Sequence, residues 1–119
     1  MPSSNQIQLL RRRAFNRQGG RCYYCGVCMW LESPDELLLG TRSHRAIEKV
    51  RCTAEHLIAQ CDGGRTAATN IVAACARCNR GRHKLHKPPE PIDYRQHVAR
   101  QAAQRCWHQR WVYEAGLVL

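Results

Sequence analysis

Apolar positions fall into short, separated groups along the chain, and each group predicts one element. Ile7, Leu10 and Ala14 recur at helical spacing among Arg11, Arg12, Arg13 and Arg17, which predicts a short basic helix over 7–17. Gly19-Gly20 stops it. Arg21-Cys22-Tyr23-Tyr24-Cys25-Gly26 follows as a tight turn carrying two thiols. Residues 27–50 show no clean period, although Ser33 before Pro34 has the form of a helix start and Gly40 that of its end. Val50, Cys52, Ala54 and Leu57-Ile58 predict a strand within 49–59, Asp62-Gly63-Gly64 a turn, and Asn70 to Ala74 a second strand. Cys75 to Lys87 is compatible with a basic helix, ended by Pro88-Pro89. After the stiff stretch 88–91, residues 93–114 contain neither Gly nor Pro and read as one long helix. Its apolar stripe would be Ala99, Ala103, Cys106, Trp107 and Trp111, serving either for packing or as a platform for stacked bases.

The order strand, turn, strand, helix predicts an α+β fold in a single domain spanning 1–119. Its core motif is 21–26 and 49–87, with a basic helix before it and a helical extension, 92–115, after it. A chain of 119 residues buries only about two-thirds of the surface its unfolded form exposes, so a bound metal would help it fold. No apolar run approaches the roughly 20 residues that span a bilayer, and Met1 to Arg13 lacks the form of a signal peptide. A cytoplasmic protein without membrane contact is therefore expected. In that compartment thiols stay reduced, so the eight Cys point to metal ligands before disulfides.

Charge narrows the partner. The formal net charge is +10, which suits a polyanionic partner: DNA, RNA or an anionic membrane surface. Sixteen of the nineteen basic residues are Arg, whose planar fork matches phosphate oxygens; a G- and C-rich genome would give the same bias.

Two pairs of thiols share one spacing, Cys22-x-x-Cys25 and Cys75-x-x-Cys78. Tetrahedral zinc takes four such ligands at about 2.3 Å, and a C-x-x-C turn delivers two thiolates to one ion. The two pairs together predict a closed structural site that performs no chemistry. Cys28 competes with Cys25 as a ligand, since Cys25-x-x-Cys28 has the same spacing, and Gly26 favours the first pair. Cys28, Cys52, Cys61 and Cys106 are otherwise read as buried or free thiols.

The run Glu55-His56, then Gly63-Gly64, Asn70-Ile71, and Cys75-Ala76-Arg77-Cys78-Asn79 through His83 resembles the HNH endonuclease motif with its ββα-metal fold, in the H-N-N variant. The resemblance covers about 35 residues, and Asn79 and Glu55 stand where the family more often has His and Asp. It implies His56 as general base, and Asn70 as the residue that braces the loop and orients that base. It also implies Glu55 and Asn79 as ligands of a catalytic divalent ion (Mg²⁺, Mn²⁺, Ni²⁺ or Zn²⁺).

The residue types fit those roles. Asn79 and His83 are four apart and share a helix face. His83 is thus either a third ligand or a surface residue of a basic helix. Mixed oxygen and nitrogen donors leave open positions, unlike a thiolate cage. An imidazole, ordinarily titrating near about 6.5, can take a proton from water at neutral pH. Arg65, Arg77, Arg80, Arg82 and Lys84 crowd the same segment and are expected to clamp phosphates, the alternative being a solvated face. The function expected is metal-dependent hydrolysis of DNA phosphodiesters, double-stranded DNA being the expected substrate. The alternatives are a non-catalytic zinc module that binds nucleic acid, and a nuclease toxin domain.

Overall fold

The computed structural model describes residues 4–118; residues 1–3 and 119, the ends of the expected 1–119 domain, lie outside the described residues. Helix α1 is Ser4–Arg17, and it buries Leu10 and Ala14 as its spacing requires. The expected helix after Ser33 is a single 3-10 turn, Pro34–Leu37. Ser33 and Glu36 cap it reciprocally, but Leu38 turns left-handed at φ 53° and ends it before Gly40. Helix α2, His44–Glu48, has no apolar period to announce it; Ser43 caps it by accepting the Ala46 N–H at 3.1 Å.

Strands β1 (Cys52–His56) and β2 (Ile71–Cys75) pair antiparallel, with Cys52 opposite Cys75 and His56 opposite Ile71. All of β2 is buried. Its outer edge is closed by Gln18, whose side-chain amide bonds both the N–H and the C=O of Ala73 at 2.9 and 2.8 Å. Helix α3, Ala76–His83, leaves β2 without a linker, and both α1 and α3 pack on the hairpin. Val27, Val50, Cys52, Cys75 and Val98 lie at the centre of the core.

The single C-terminal helix expected over 93–114 is two helices, α4 (Pro91–Ala103) and α5 (Arg110–Glu114). Arg105, at φ 59°, ends α4, with Cys106 N–H reaching back to Gln101 C=O at 2.9 Å and Arg105 N–H to Ala102 C=O at 3.0 Å. The buried stripe is Tyr94, Val98 and Ala102, whereas Ala99, Ala103 and Cys106 are exposed. Gly81 leaves room on α3 for Tyr94 of α4, since an added Cβ would sit 2.8 Å from the Tyr94 hydroxyl. Among the described residues, no helix is long and apolar enough to cross a membrane.

Candidate functional site

The first pair of thiols sits on the turn before Gly26, itself left-handed at φ 76°, and the second pair at the start of α3. The sulfurs of Cys22, Cys25, Cys75 and Cys78 all lie within 4.8 Å of one another and are buried. Four sulfurs around one tetrahedral zinc stand about 3.8 Å apart, given bonds near 2.3 Å. Cys25 and Cys75 are at 3.8 Å, so the group is compatible with a zinc site. Cys28 stands outside it, which settles the competition between the two spacings.

Donors surround these sulfurs. Cys75 N–H points at the Cys22 sulfur at 3.3 Å, and Val27 N–H at that of Cys25 at 3.4 Å. From the C-terminal segment, Trp107 Nε1 donates to Cys78 at 3.2 Å and His108 Nε2 lies 3.1 Å from Cys25. Neither residue was singled out as a partner of the thiols in the sequence, because their approach depends on the break between α4 and α5. Burial pushes His108 down to about 4, so its ring is neutral. Burial would raise Cys22, but bonds from Cys25, Cys75 and Cys78 bring it down, while burial and bonds to Cys22 push Cys75 and Cys78 up. One thiolate formed here raises the cost of the next, a limit that a divalent cation relieves.

Glu55 lies beyond this cluster on β1, 2 % exposed. Its two oxygens have different surroundings. Oε2 accepts from the Tyr24 hydroxyl at 3.0 Å and from Arg82 Nη1 at 3.1 Å. Oε1 faces His83 Nε2 at 3.0 Å. Burial first, and then the Glu55 carboxylate, push the Tyr24 phenol above its ordinary value, so it stays a donor. Arg82 was expected among the phosphate clamps, but it is buried. It also bonds the carbonyls of His56, Leu57 and Pro89 at 3.3, 3.2 and 3.0 Å. Four of its five N–H donors are spent inside the protein, so at the edge of the groove it braces Glu55 and the loop after β1 before it can clamp a phosphate, which corrects that reading.

Asn79 Nδ2 donates to Thr53 Oγ1 at 3.0 Å and to Ala54 C=O at 3.3 Å. Thr53 Oγ1 gives its own proton to Ala74 C=O at 2.6 Å, so both partners of Asn79 are acceptors and the amide orientation is fixed. Asn79 Oδ1 has no partner among the described residues. A carboxylate oxygen and an imidazole nitrogen 3.0 Å apart match adjacent positions on an octahedral ion, for which bonds of about 2.1 Å give a separation of about 3.0 Å. The Glu55–His83 pair is therefore spaced as two ligands of one divalent ion would be. Beside His83 a groove of about 590 Å³ opens between the loop after β1, with Ile58 and Asp62, and the segment after α3, with His86 and Lys87.

His56 ends β1, half-buried, with Nε2 3.0 Å from Thr66 Oγ1; Thr66 also accepts from Gln60 Nε2 at 3.2 Å. Asn70 Oδ1 accepts from Ile58 N–H at 2.8 Å, and its Nδ2 donates to the carbonyls of Ile58 and Arg65 at 3.0 and 2.9 Å. These bonds brace the loop that carries Thr66; among the described residues none runs from Asn70 to the His56 ring. Gly64 completes the turn, since a Cβ there would fall 1.7 Å from Ile58 C=O. The nearby cations divide into two groups. Arg80 makes two 2.6 Å bonds to Glu48, and Arg77 lies 4.1 Å over the Trp107 ring. Arg65, Lys84 and Lys87 are exposed and, among the described residues, carry no ion pair or ring contact of their side chains.

Residues 42–85 match the family model described as HNH endonuclease. No curated protein and no solved structure matches the chain. The matched span runs from ahead of α2 to just past α3, taking in Glu55, His56, Asn70, Asn79, His83 and the second thiol pair.

Proposed function

Taking residues 42–85 as an HNH endonuclease domain, we propose that the chain hydrolyses DNA phosphodiester bonds with a divalent ion held by Glu55, Asn79 and His83, and with zinc in the four-Cys cluster. The observation that carries this reading is the 3.0 Å approach of Glu55 Oε1 to His83 Nε2 at the edge of the groove. When bound, the ion supplies polarisation of the scissile phosphate and stabilisation of the leaving 3′ oxygen.

The side chains supply the rest. Thr66 holds His56 by Nε2, which leaves Nδ1 to take a proton from water as the water oxygen attacks phosphorus. Asn70 keeps the loop in the shape that presents Thr66 to His56. Arg65, Lys84 and Lys87 grip the backbone phosphates on either side. Arg77 and Arg80 are committed to Trp107 and Glu48 and contribute less. Zinc needs reduced thiols, which suits a cytoplasmic location.

Incubating supercoiled plasmid with the protein and Mg²⁺, Mn²⁺, Ni²⁺ or Zn²⁺ tests the reading. The expected result is metal-dependent nicking or linearisation that chelation stops and that His56→Ala slows by about 10²-fold or more. Protein that retards plasmid in a gel yet cleaves with none of the ions is a non-catalytic binding module instead.

A further inference from the structure

The Cys22-x-x-Cys25 turn carries more than thiols. Of its two central residues, Tyr23 is partly exposed beneath Arg95, whereas Tyr24 is 3 % exposed and directed inward. The Tyr24 ring packs edge-on against Tyr94, centroids 4.9 Å apart. Both phenols are buried and both donate. Tyr94 bonds the Cys78 carbonyl at 2.8 Å, beside the thiol cluster, while Tyr24 bonds Glu55 Oε2 at 3.0 Å, 31 residues along the chain. With Arg82 on the same oxygen at 3.1 Å, Oε2 is fully committed. Only Oε1 is left, and it is the oxygen beside His83.

We propose that Tyr24 is a positioning residue that holds Glu55 Oε2 from the thiol turn, so that the carboxylate offers one oxygen, Oε1, to the catalytic ion. The proposal rests on the reading of Glu55 and His83 as ligands. A carboxylate free to rotate about its last bond can present either oxygen, or both, and loses orientation each time. Two donors fixed on one oxygen remove that freedom. Because Tyr24 lies between Cys22 and Cys25, the geometry of the thiol cluster is transmitted to the catalytic carboxylate through one hydroxyl.

The two tyrosines form a matched test. Tyr24→Phe and Tyr94→Phe each remove one buried hydroxyl and keep the ring. Mn²⁺ affinity of the zinc-loaded protein is measured by calorimetry without DNA, alongside the thermal midpoint. Tyr24→Phe is expected to weaken Mn²⁺ by about 10-fold or more, the range for lost partners of metal ligands, while Tyr94→Phe shifts the thermal midpoint and leaves Mn²⁺ affinity within twofold. Equal Mn²⁺ affinity in Tyr24→Phe and wild type, or an equal loss in both variants, overturns the proposal. Glu55→Gln and His83→Ala separate this from failure of the underlying reading. If neither lowers Mn²⁺ affinity, the ion site itself is wrong and the proposal falls with it. If both do and Tyr24→Phe does not, only the role of Tyr24 is wrong.

Discussion

His83 Nε2 lies 3.0 Å from Glu55 Oε1, across the gap between the last turn of α3 and β1. The imidazole is partly exposed and the carboxylate is buried, so one partner can exchange with solvent ions while the other stays fixed. His83→Ala should therefore leave the fold intact and raise the Mn²⁺ concentration needed for half-maximal plasmid cleavage by about 10-fold or more. His56→Ala should leave that concentration unchanged and lower the rate at saturating Mn²⁺ by about 10²-fold or more. A metal titration of cleavage by the two variants distinguishes a ligand from a base.

Arg82 should matter for stability before it matters for DNA. Its removal leaves Glu55 buried with its ion-pair partner gone, and three carbonyls lose a donor. Breaking a buried pair in this way costs about 3–5 kcal/mol, which urea unfolding of Arg82→Ala would register. Arg82→Lys should recover only part, since one ammonium cannot span the carbonyls that the guanidinium fork reaches.

Phosphate binding should map to the unpaired cations. Arg65→Ala, Lys84→Ala and Lys87→Ala are each expected to reduce the slope of log affinity against log salt by about one unit. Arg80→Ala should change it little, because Arg80 already answers Glu48 through two 2.6 Å bonds. Fluorescence anisotropy on two unrelated duplexes would check both, and similar losses on the two sequences would mark backbone contact.

Much of this arrangement was legible in the residues. The two C-x-x-C spacings led to the cluster, and the four-residue interval from Asn79 to His83 put both on the face of α3 that meets β1. Arg82, three residues from Asn79, lies on nearly the same face, so its inward course was also written there; its charge suggested a phosphate contact instead. Thr66 left no signal, being a loop hydroxyl whose meaning depends on the folded turn. The break at Arg105 was hidden because neither Gly nor Pro marks it; the packing of Trp107 and His108 on the thiols accompanies it.

Thiol chemistry should sort the cysteines by environment. Cys61 and Cys106 are exposed and should react first with a colorimetric thiol reagent. Cys52, which burial pushes up to about 11, should resist until the protein unfolds. Cys22, Cys25, Cys75 and Cys78 should become reactive only when a chelator removes the metal, with elemental analysis showing about one zinc per chain beforehand.

The thiol cluster also sets an order of assembly on the ribosome. Cys25 is 50 residues ahead of Cys75 and 83 ahead of His108. At about 5–20 residues per second, the first two thiols wait roughly 3–10 s for the second pair and longer for the indole and imidazole that cover them. During that interval the nascent chain can offer an ion only an incomplete set of thiols, with Cys28 as a competing neighbour. Synthesis of β2 and the start of α3 resolves the competition, and arrival of the C-terminal turn closes the cluster last. A nascent chain halted before Trp107 would thus carry the four sulfurs but lack their outer cover, and should surrender its metal to a chelator faster than the finished protein.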